Sequence, residues 1–171
     1  PQPISIEFLS DKINLLDTPG YDDFVGEIVG AMRVADCGLM LLNAAMGVEV
    51  GTDIIWSYTD DFKLPMLLAV NHLDNEKADF DKTVNEAKSH FGNNVVIVQY
   101  PVNQGGQFDT IIDVLNMIMC KYPKEGGTPQ LLPIPDSEKE KANRLHQELI
   151  ETIAGNDETL MERYFEKGEL N

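Results

Sequence analysis

Ile13-Asn14-Leu15-Leu16-Asp17-Thr18-Pro19-Gly20 is the stretch on which the reading of this chain turns. Its first four residues read as a buried strand, which runs into an acid and then into a Pro-Gly turn. A helical pattern follows at once from Tyr21-Asp22-Asp23-Phe24. An acid at the carboxyl end of a strand stands where open α/β sheets bind ligands. A glycine just beyond it lets a backbone N–H approach a phosphate, because no Cβ is in the way. Many strand-to-helix turns carry Asp-x-x-Gly, so the meaning of this one depends on its surroundings.

Upstream, Ile4, Ile6 and Phe8 alternate with Ser5 and Glu7, and Ser10-Asp11-Lys12 turns the chain into Ile13–Leu16. The pattern predicts a β-hairpin. Downstream, Phe24, Val25, Ile28, Val29 and Met32 fall on one face of a helix. Cys37–Leu42 is a continuous apolar run, expected as a strand buried on both faces of a parallel sheet. Asn43–Gly51 reads as a loop, with Thr52 capping a helix that carries Ile55, Trp56, Tyr58 and Phe62 and ends at Leu64-Pro65. Met66–Val70 is a second buried run, Asp79–Phe91 a helix stopped by Gly92, and Val95–Val98 a third strand. Strands alternating with helices predict an α/β fold with a doubly wound, mostly parallel sheet.

After Pro101 the character changes. Asn103–Gln107 is a polar, Gly-rich loop, and Phe108, Ile111, Ile112, Leu115 and Ile118 predict a helix over Phe108–Tyr122. Pro123–Pro135 reads as irregular, with one short strand at Leu131–Ile134. Ser137-x-x-Glu140 is a capping box for a helix with Ala142, Leu145, Leu149 and Ile153, and Asp157 caps a last helix. The expected division is residues 1–100 as the α/β part and residues 101–171 as a helix-rich appendage.

With 171 residues the chain can bury one real core. Its formal net charge of -16 argues against wrapping a nucleic-acid backbone, which needs clustered Lys and Arg. Cys37 and Cys120 share no metal or redox spacing and read as buried thiols in a reducing compartment. No apolar run reaches membrane-spanning length and no basic-then-apolar leader opens the chain. A soluble, cytoplasmic protein without membrane contact is expected, and the start at Pro1 reads as a piece of something longer.

The second informative tetrapeptide is Asn71-His72-Leu73-Asp74, directly after the Met66–Val70 run. A carboxylate here can accept from two adjacent N–H donors while the amide contacts a ring nitrogen. Guanine, with N1–H beside its exocyclic amine, suits that acceptor. The plainer reading is a turn in which Asn71 and Asp74 cap the next helix. Other groups carry less. His72, His90 and His146 have no metal spacing, Asp22-Asp23 suits a first helical turn, and Trp56, Tyr58 and Phe62 read as core. Glu138–Lys141 and Glu158–Glu166 read as solvated helix faces, and no Ser/His/Asp or Cys/His arrangement stands out.

Asp-x-x-Gly closing one strand and Asn-x-x-Asp closing another, with helix–strand–helix between, is the order found in GTPases. Ile13–Phe24 resembles the switch II region of translational GTPases, and Val25–Asp36 is similar to the helix that follows it in elongation factor G. Pro135–Leu170 resembles the subdomain that elongation factor G inserts into its GTPase domain. The resemblance implies GTP or GDP with Mg²⁺ as cofactors of the intact protein, and a ribosomal partner at the large-subunit stalk region. Asp17 matches the acid that holds Mg²⁺ through a water, Thr18 and Pro19 lie in the same motif, and Gly20 matches the γ-phosphate sensor. Asn71, His72, Leu73 and Asp74 match the guanine-reading motif.

Two positions depart from the family pattern. Tyr21 stands where the family has a His that orients the attacking water, and a phenol cannot become a cation as imidazole does. His72 stands where Lys is favoured. Both point to a paralogue. No Gly-x-x-x-x-Gly-Lys-Ser/Thr occurs, so residues 1–100 match a GTPase domain without its P-loop and switch I. The family's closing Ser-Ala loop would lie beyond Asn171. This chain alone is therefore expected to bind GTP weakly or not at all. The rival reading is a non-catalytic ribosome- or protein-binding module that keeps the fold.

Overall fold

The computed structural model describes residues 2–20, 22–92 and 94–155. Tyr21 and the helix expected after Asp157 lie outside the described residues.

The hairpin forms, but Ile13 and Leu15, expected in a buried strand, are exposed, since no described element covers either face of it. Strand β1 (Gln2–Phe8) pairs antiparallel with β2 (Asp11–Asp17), Gln2 opposite Asp17 and Phe8 opposite Asp11. Leu9 takes a positive φ of 55° in the tight turn. A 3₁₀ turn at Asp22–Phe24 leads into α1 (Val25–Met32), which buries Ile28, Ala31 and Met32.

Strand β3 (Gly38–Asn43) lies parallel to β4 (Met66–Asn71), with α2 (Val50–Phe62) as the crossover. Their register sets Asn43 opposite Asn71, so two amides share the carboxyl end of the pair. Met40 and Leu42 bury against Ile55 and Trp56 of α2 and against Ala87 and Phe91 of α3 (Phe80–Phe91). Trp56 stacks on Phe91 with ring centroids 4.2 Å apart.

The expectation that Cys37–Leu42 is covered on both faces is not met. Leu39 and Leu41 are 62% and 60% exposed, as is Leu67 at 58%, because α2 and α3 lie on the opposite face and no described element covers this one. Cys37, expected as buried, is exposed; Cys120 is buried.

Helix boundaries follow local chemistry. α2 begins at Val50 with Glu49 at its cap, so Thr52 sits inside the first turn rather than capping it. Its end is left-handed at Lys63 (φ 50°), where the Lys63 and Leu64 amides close back on Asp60 and Thr59. The Asp79 carboxylate caps α3 by accepting from the Lys82 N–H at 2.9 Å, and Gly92 (φ 98°) ends it.

The third sheet is antiparallel, in the order β5 (Gln99–Pro101), β6 (Thr110–Asp113), β7 (Ile118–Lys121) and β8 (Gln130–Leu132). The strand expected at Val95–Val98 is displaced to Gln99–Pro101. The helix expected over Phe108–Tyr122 is instead the β6–β7 hairpin. Its turn is built locally: Asp113 accepts from the Asn116 N–H at 2.8 Å and from the Asn116 side-chain amide, while Met117 adopts φ 51°. Burial would raise the Asp113 pKa, but these bonds and one from Gln99 outweigh it and hold the carboxyl below its ordinary range.

Helix α4 (Asp136–Ala154) starts after Pro135, whose extended backbone serves as the cap, so Ser137 lies within the first turn and the expected capping box does not form. Acids at Asp136 and Glu138 suit that end of the helix dipole. Ala142, Leu145 and Leu149 of α4 join Phe80, Tyr100, Ile112 and Val114 in the larger core, with Val70, Leu73 and Val84 packed against it. Each of these large aliphatic side chains contributes roughly 1.5–3 kcal/mol by leaving water. One apolar cluster therefore draws on residues from both sides of Pro101. No described helix is long and apolar enough to cross a membrane.

Candidate functional site

Both tetrapeptides singled out in the sequence stand at strand ends. Asp17 is the last residue of β2, exposed, with Thr18 and Pro19 half-buried and Gly20 exposed after it. A Cβ placed on Gly20 would meet no atom within 4 Å, so packing among the described residues does not demand a glycine there. No hydrogen bond fastens residues 17–20 beyond the β1–β2 ladder, again among the described residues.

Asn71 is the last residue of β4, and its loop is fastened from several directions. The Ala44 N–H donates to the Asn71 carbonyl at 2.9 Å, and the Asn71 side-chain oxygen accepts from the His72 N–H at 2.9 Å. His72 itself is left-handed, at φ 60°, a conformation uncommon for residues other than Gly, though His adopts it more readily than most. The Asn75 N–H donates to the His72 carbonyl at 3.1 Å. From outside the loop, the Gly105 N–H donates to the Leu73 carbonyl at 2.8 Å, and the Gly106 N–H donates to the Glu76 carboxylate at 3.1 Å. Asp74 is exposed, and its carboxylate makes no hydrogen bond or ion pair among the described residues. Asp79, not Asp74, caps the following helix.

The two tetrapeptides are not joined. β2 and β3 share no ladder, and no hydrogen bond or ion pair connects 17–20 to 71–74 among the described residues. The neighbouring helices α1 and α2 do meet, and the Arg33 guanidinium after α1 lies 5.9 Å from the Phe62 ring at the end of α2.

The sequence reading missed the loop that grips the second tetrapeptide. Gly105 and Gly106 form a 3₁₀ turn with Gln107, and Gln104 accepts from the Phe80 N–H at 2.8 Å through its side-chain oxygen. Asn103 closes the loop, accepting from the Asp109 and Thr110 amides and donating to the Gln107 carbonyl and the Asp109 carboxylate. Hydrogen bonds from Thr110 first and then Asn103, with Lys121 3.7 Å away, hold the Asp109 carboxyl below its ordinary range. The paired glycines were the available signal.

No group of three or more His, Cys, Asp or Glu among the described residues is arranged to hold a metal by itself. His90 instead pairs with Asp53 at 2.9 Å, and His146 lies 2.8 Å from the Val114 carbonyl. An open hollow along α3, from Asp79 to His90, reaches neither tetrapeptide.

Comparison with known proteins bears on this geometry. The family described as "Elongation factor Tu GTP binding domain" matches residues 2–168. An "Elongation factor G-like protein" of Thermotoga maritima is 33% identical over 162 residues, covering 95% of this chain and 23% of its own length. Elongation factor G of Amoebophilus asiaticus is 36% identical over 156 residues, covering 90% of this chain and 22% of its own. A crystal structure from Thermus thermophilus superposes with a TM-score of 0.87 at 33% identity, over 99% of this chain and 25% of that one. The chain thus spans about a quarter of the length of the relatives it matches.

Proposed function

This chain belongs to the elongation factor Tu GTP-binding domain family, and we propose that it is part of the GTP-binding and GTP-hydrolysing domain of an elongation factor G-like translation factor. The observation that carries the proposal is Asp74: an exposed carboxylate without a partner among the described residues, at the carboxyl end of a parallel strand pair, in a loop held by other segments. Ligands of open α/β sheets bind at that edge.

In this reading the Asp74 carboxylate accepts from guanine N1–H and the exocyclic amine. Asn71 braces the loop and contacts the ring, while the His72 and Leu73 positions flank the base. Asp17, Thr18, Pro19 and Gly20 face the phosphates. Gly20 fits this role because its Cβ position is open space, which leaves its N–H approachable. Mg²⁺ takes oxygen ligands and keeps several waters, with one or two carboxylates and the substrate phosphates completing its shell. The exposed Asp17 carboxylate fits one such place, and the ion would there neutralise developing phosphate charge. Tyr21 would sit by the attacking water.

Residues 1–100 are then the nucleotide-binding part and residues 101–171 the inserted subdomain, with the shared apolar cluster as their joint. The intact protein would act on the ribosome, in the cytoplasm, with this subdomain toward the large-subunit stalk region. Replacing Asp74 by Asn in the full-length gene product tests the assignment, since it should move preference from GTP to xanthosine triphosphate. Unchanged guanine selectivity would overturn it. Tyr21 favours one second reading, a binding module without turnover, and ribosome-stimulated phosphate release from the same protein separates the two.

A further inference from the structure

We propose that the loop Asn103–Asp109 is a clamp that sets the position of the Asp74 carboxylate, with Glu76 as the positioning residue that receives it. The inference rests on the reading of Asn71–Asp74 as the guanine site and extends it to a segment outside both sequence motifs.

Three observations carry it. First, the base-reading loop holds His72 in the left-handed region at φ 60°, an uncommon conformation for a residue other than Gly. Such a backbone persists only where its surroundings hold it. Second, beside the Ala44 and Asn75 bonds, two holds reach the loop from one distant segment. The Gly105 N–H reaches the Leu73 carbonyl at 2.8 Å and the Gly106 N–H reaches a Glu76 oxygen at 3.1 Å. Asp74 lies between them, with the Leu73 backbone fastened on one side and the Glu76 side chain on the other. Third, the approach requires glycines. Gly105 is buried at φ 76°, and a Cβ on Gly106 would come to 3.0 Å from the Glu76 oxygen. The clamp is itself fixed at its foot by Asn103 and Asp109, and Gln104 ties it to the start of α3.

The Glu76 carboxylate does not touch the base in this arrangement. It converts a distant loop into a support for the residue that does. A reader held before the ligand arrives loses no ordering entropy on binding, so loosening it weakens affinity without altering the contacts themselves.

The test uses the full-length gene product, with GDP affinity by calorimetry and thermal unfolding measured side by side. Glu76→Ala should weaken GDP binding about three- to tenfold, the worth of one modest hydrogen bond. Its unfolding temperature should stay at the wild-type value, because the residue is exposed. Glu76→Gln retains an oxygen that accepts from Gly106 and should recover most of the affinity. Gly106→Ala pushes the same carboxylate away and should give a similar loss alone but no further loss in the Glu76→Ala background. Wild-type affinity in Glu76→Ala, failure of Glu76→Gln to rescue, or additive losses in the double variant would each overturn the clamp. Asp74→Asn runs as the control. If it weakens GDP binding while Glu76→Ala does not, the clamp alone is wrong. If Asp74→Asn has no effect, the base-site reading fails and the clamp with it.

Discussion

The turns after β2 and after β4 have the same sequence logic, an apolar strand running into a polar tetrapeptide, yet they are built differently. Asn71–Asp74 is gripped by Ala44 and Gly105, with Gly106 on Glu76 just beyond it, and carries a left-handed residue, His72, in its middle. Asp17–Gly20 has no such grip among the described residues, and the space beside Gly20 is open. The difference suits the two tasks proposed for these turns. A group that recognises one base gains from being held in place beforehand. A group that reports whether a phosphate is present must be able to take two arrangements, so a fastened backbone would defeat it.

The largest expected effect breaks the gripped side. If Asp74 reads guanine as proposed, Asp74→Asn removes a charged acceptor of two hydrogen bonds and should lower GTP affinity about a hundredfold or more, read by equilibrium binding against xanthosine triphosphate. Comparable in size but opposite in kind, Gly20→Ala should leave the unfolding temperature unchanged, since its methyl enters open space. Ribosome-stimulated phosphate release should nonetheless fall on the order of a hundredfold, because on the proposed reading the methyl would stand where the γ-phosphate approaches. If Gly20→Ala instead destabilises the fold and hydrolyses GTP normally, the contrast between the turns is wrong. Tyr21→Phe removes one hydroxyl and should slow phosphate release roughly tenfold, the kinetic value of one hydrogen bond to water. An unchanged rate would favour a module whose turnover does not use this position.

The smallest effect lies beneath the gripped loop. The Tyr100 hydroxyl donates to Glu138 at 3.0 Å, and burial first, then this bond and the nearby negative charge, push its pKa well above the ordinary phenol value. In the unfolded chain the phenol loses its proton near pH 10, while the folded one keeps it. Stability from this group is therefore whole below pH 10 and declines as pH rises above it. Denaturant unfolding at pH 9 and pH 11 should show that decline, and Tyr100→Phe should flatten it.

Much of the fold was readable from the chain itself because its determinants are local. The hairpin follows from the turn between two apolar-patterned runs, and α3 from its apolar spacing and Gly92 stop. The strands β3 and β4 were legible as apolar runs, but their coverage was not. The same Leu-rich run serves a strand with one face packed or two, and Leu39 and Leu41 prove exposed. Phe108–Tyr122 misled for a related reason. Phe108, Ile111, Ile112 and Leu115 fall at helical spacing, while the Asp113-x-x-Asn116 turn that reverses the chain was the weaker signal. Leu115 is left exposed and Val114 fully buried, the reverse of what that helix would require.

By itself the sequence marked the candidate residues: Asp17–Gly20 and Asn71–Asp74 stand out as a pair because acid, amide and glycine recur at two strand ends in a fixed order. Only the tertiary structure decided which of the two is held and by what. Gly105 and Gly106 lie some thirty residues from the loop they grip, and a hydrogen bond across that separation leaves no periodicity to read. The first tetrapeptide is the plainer of the two in the sequence, but the fastening belongs to the second.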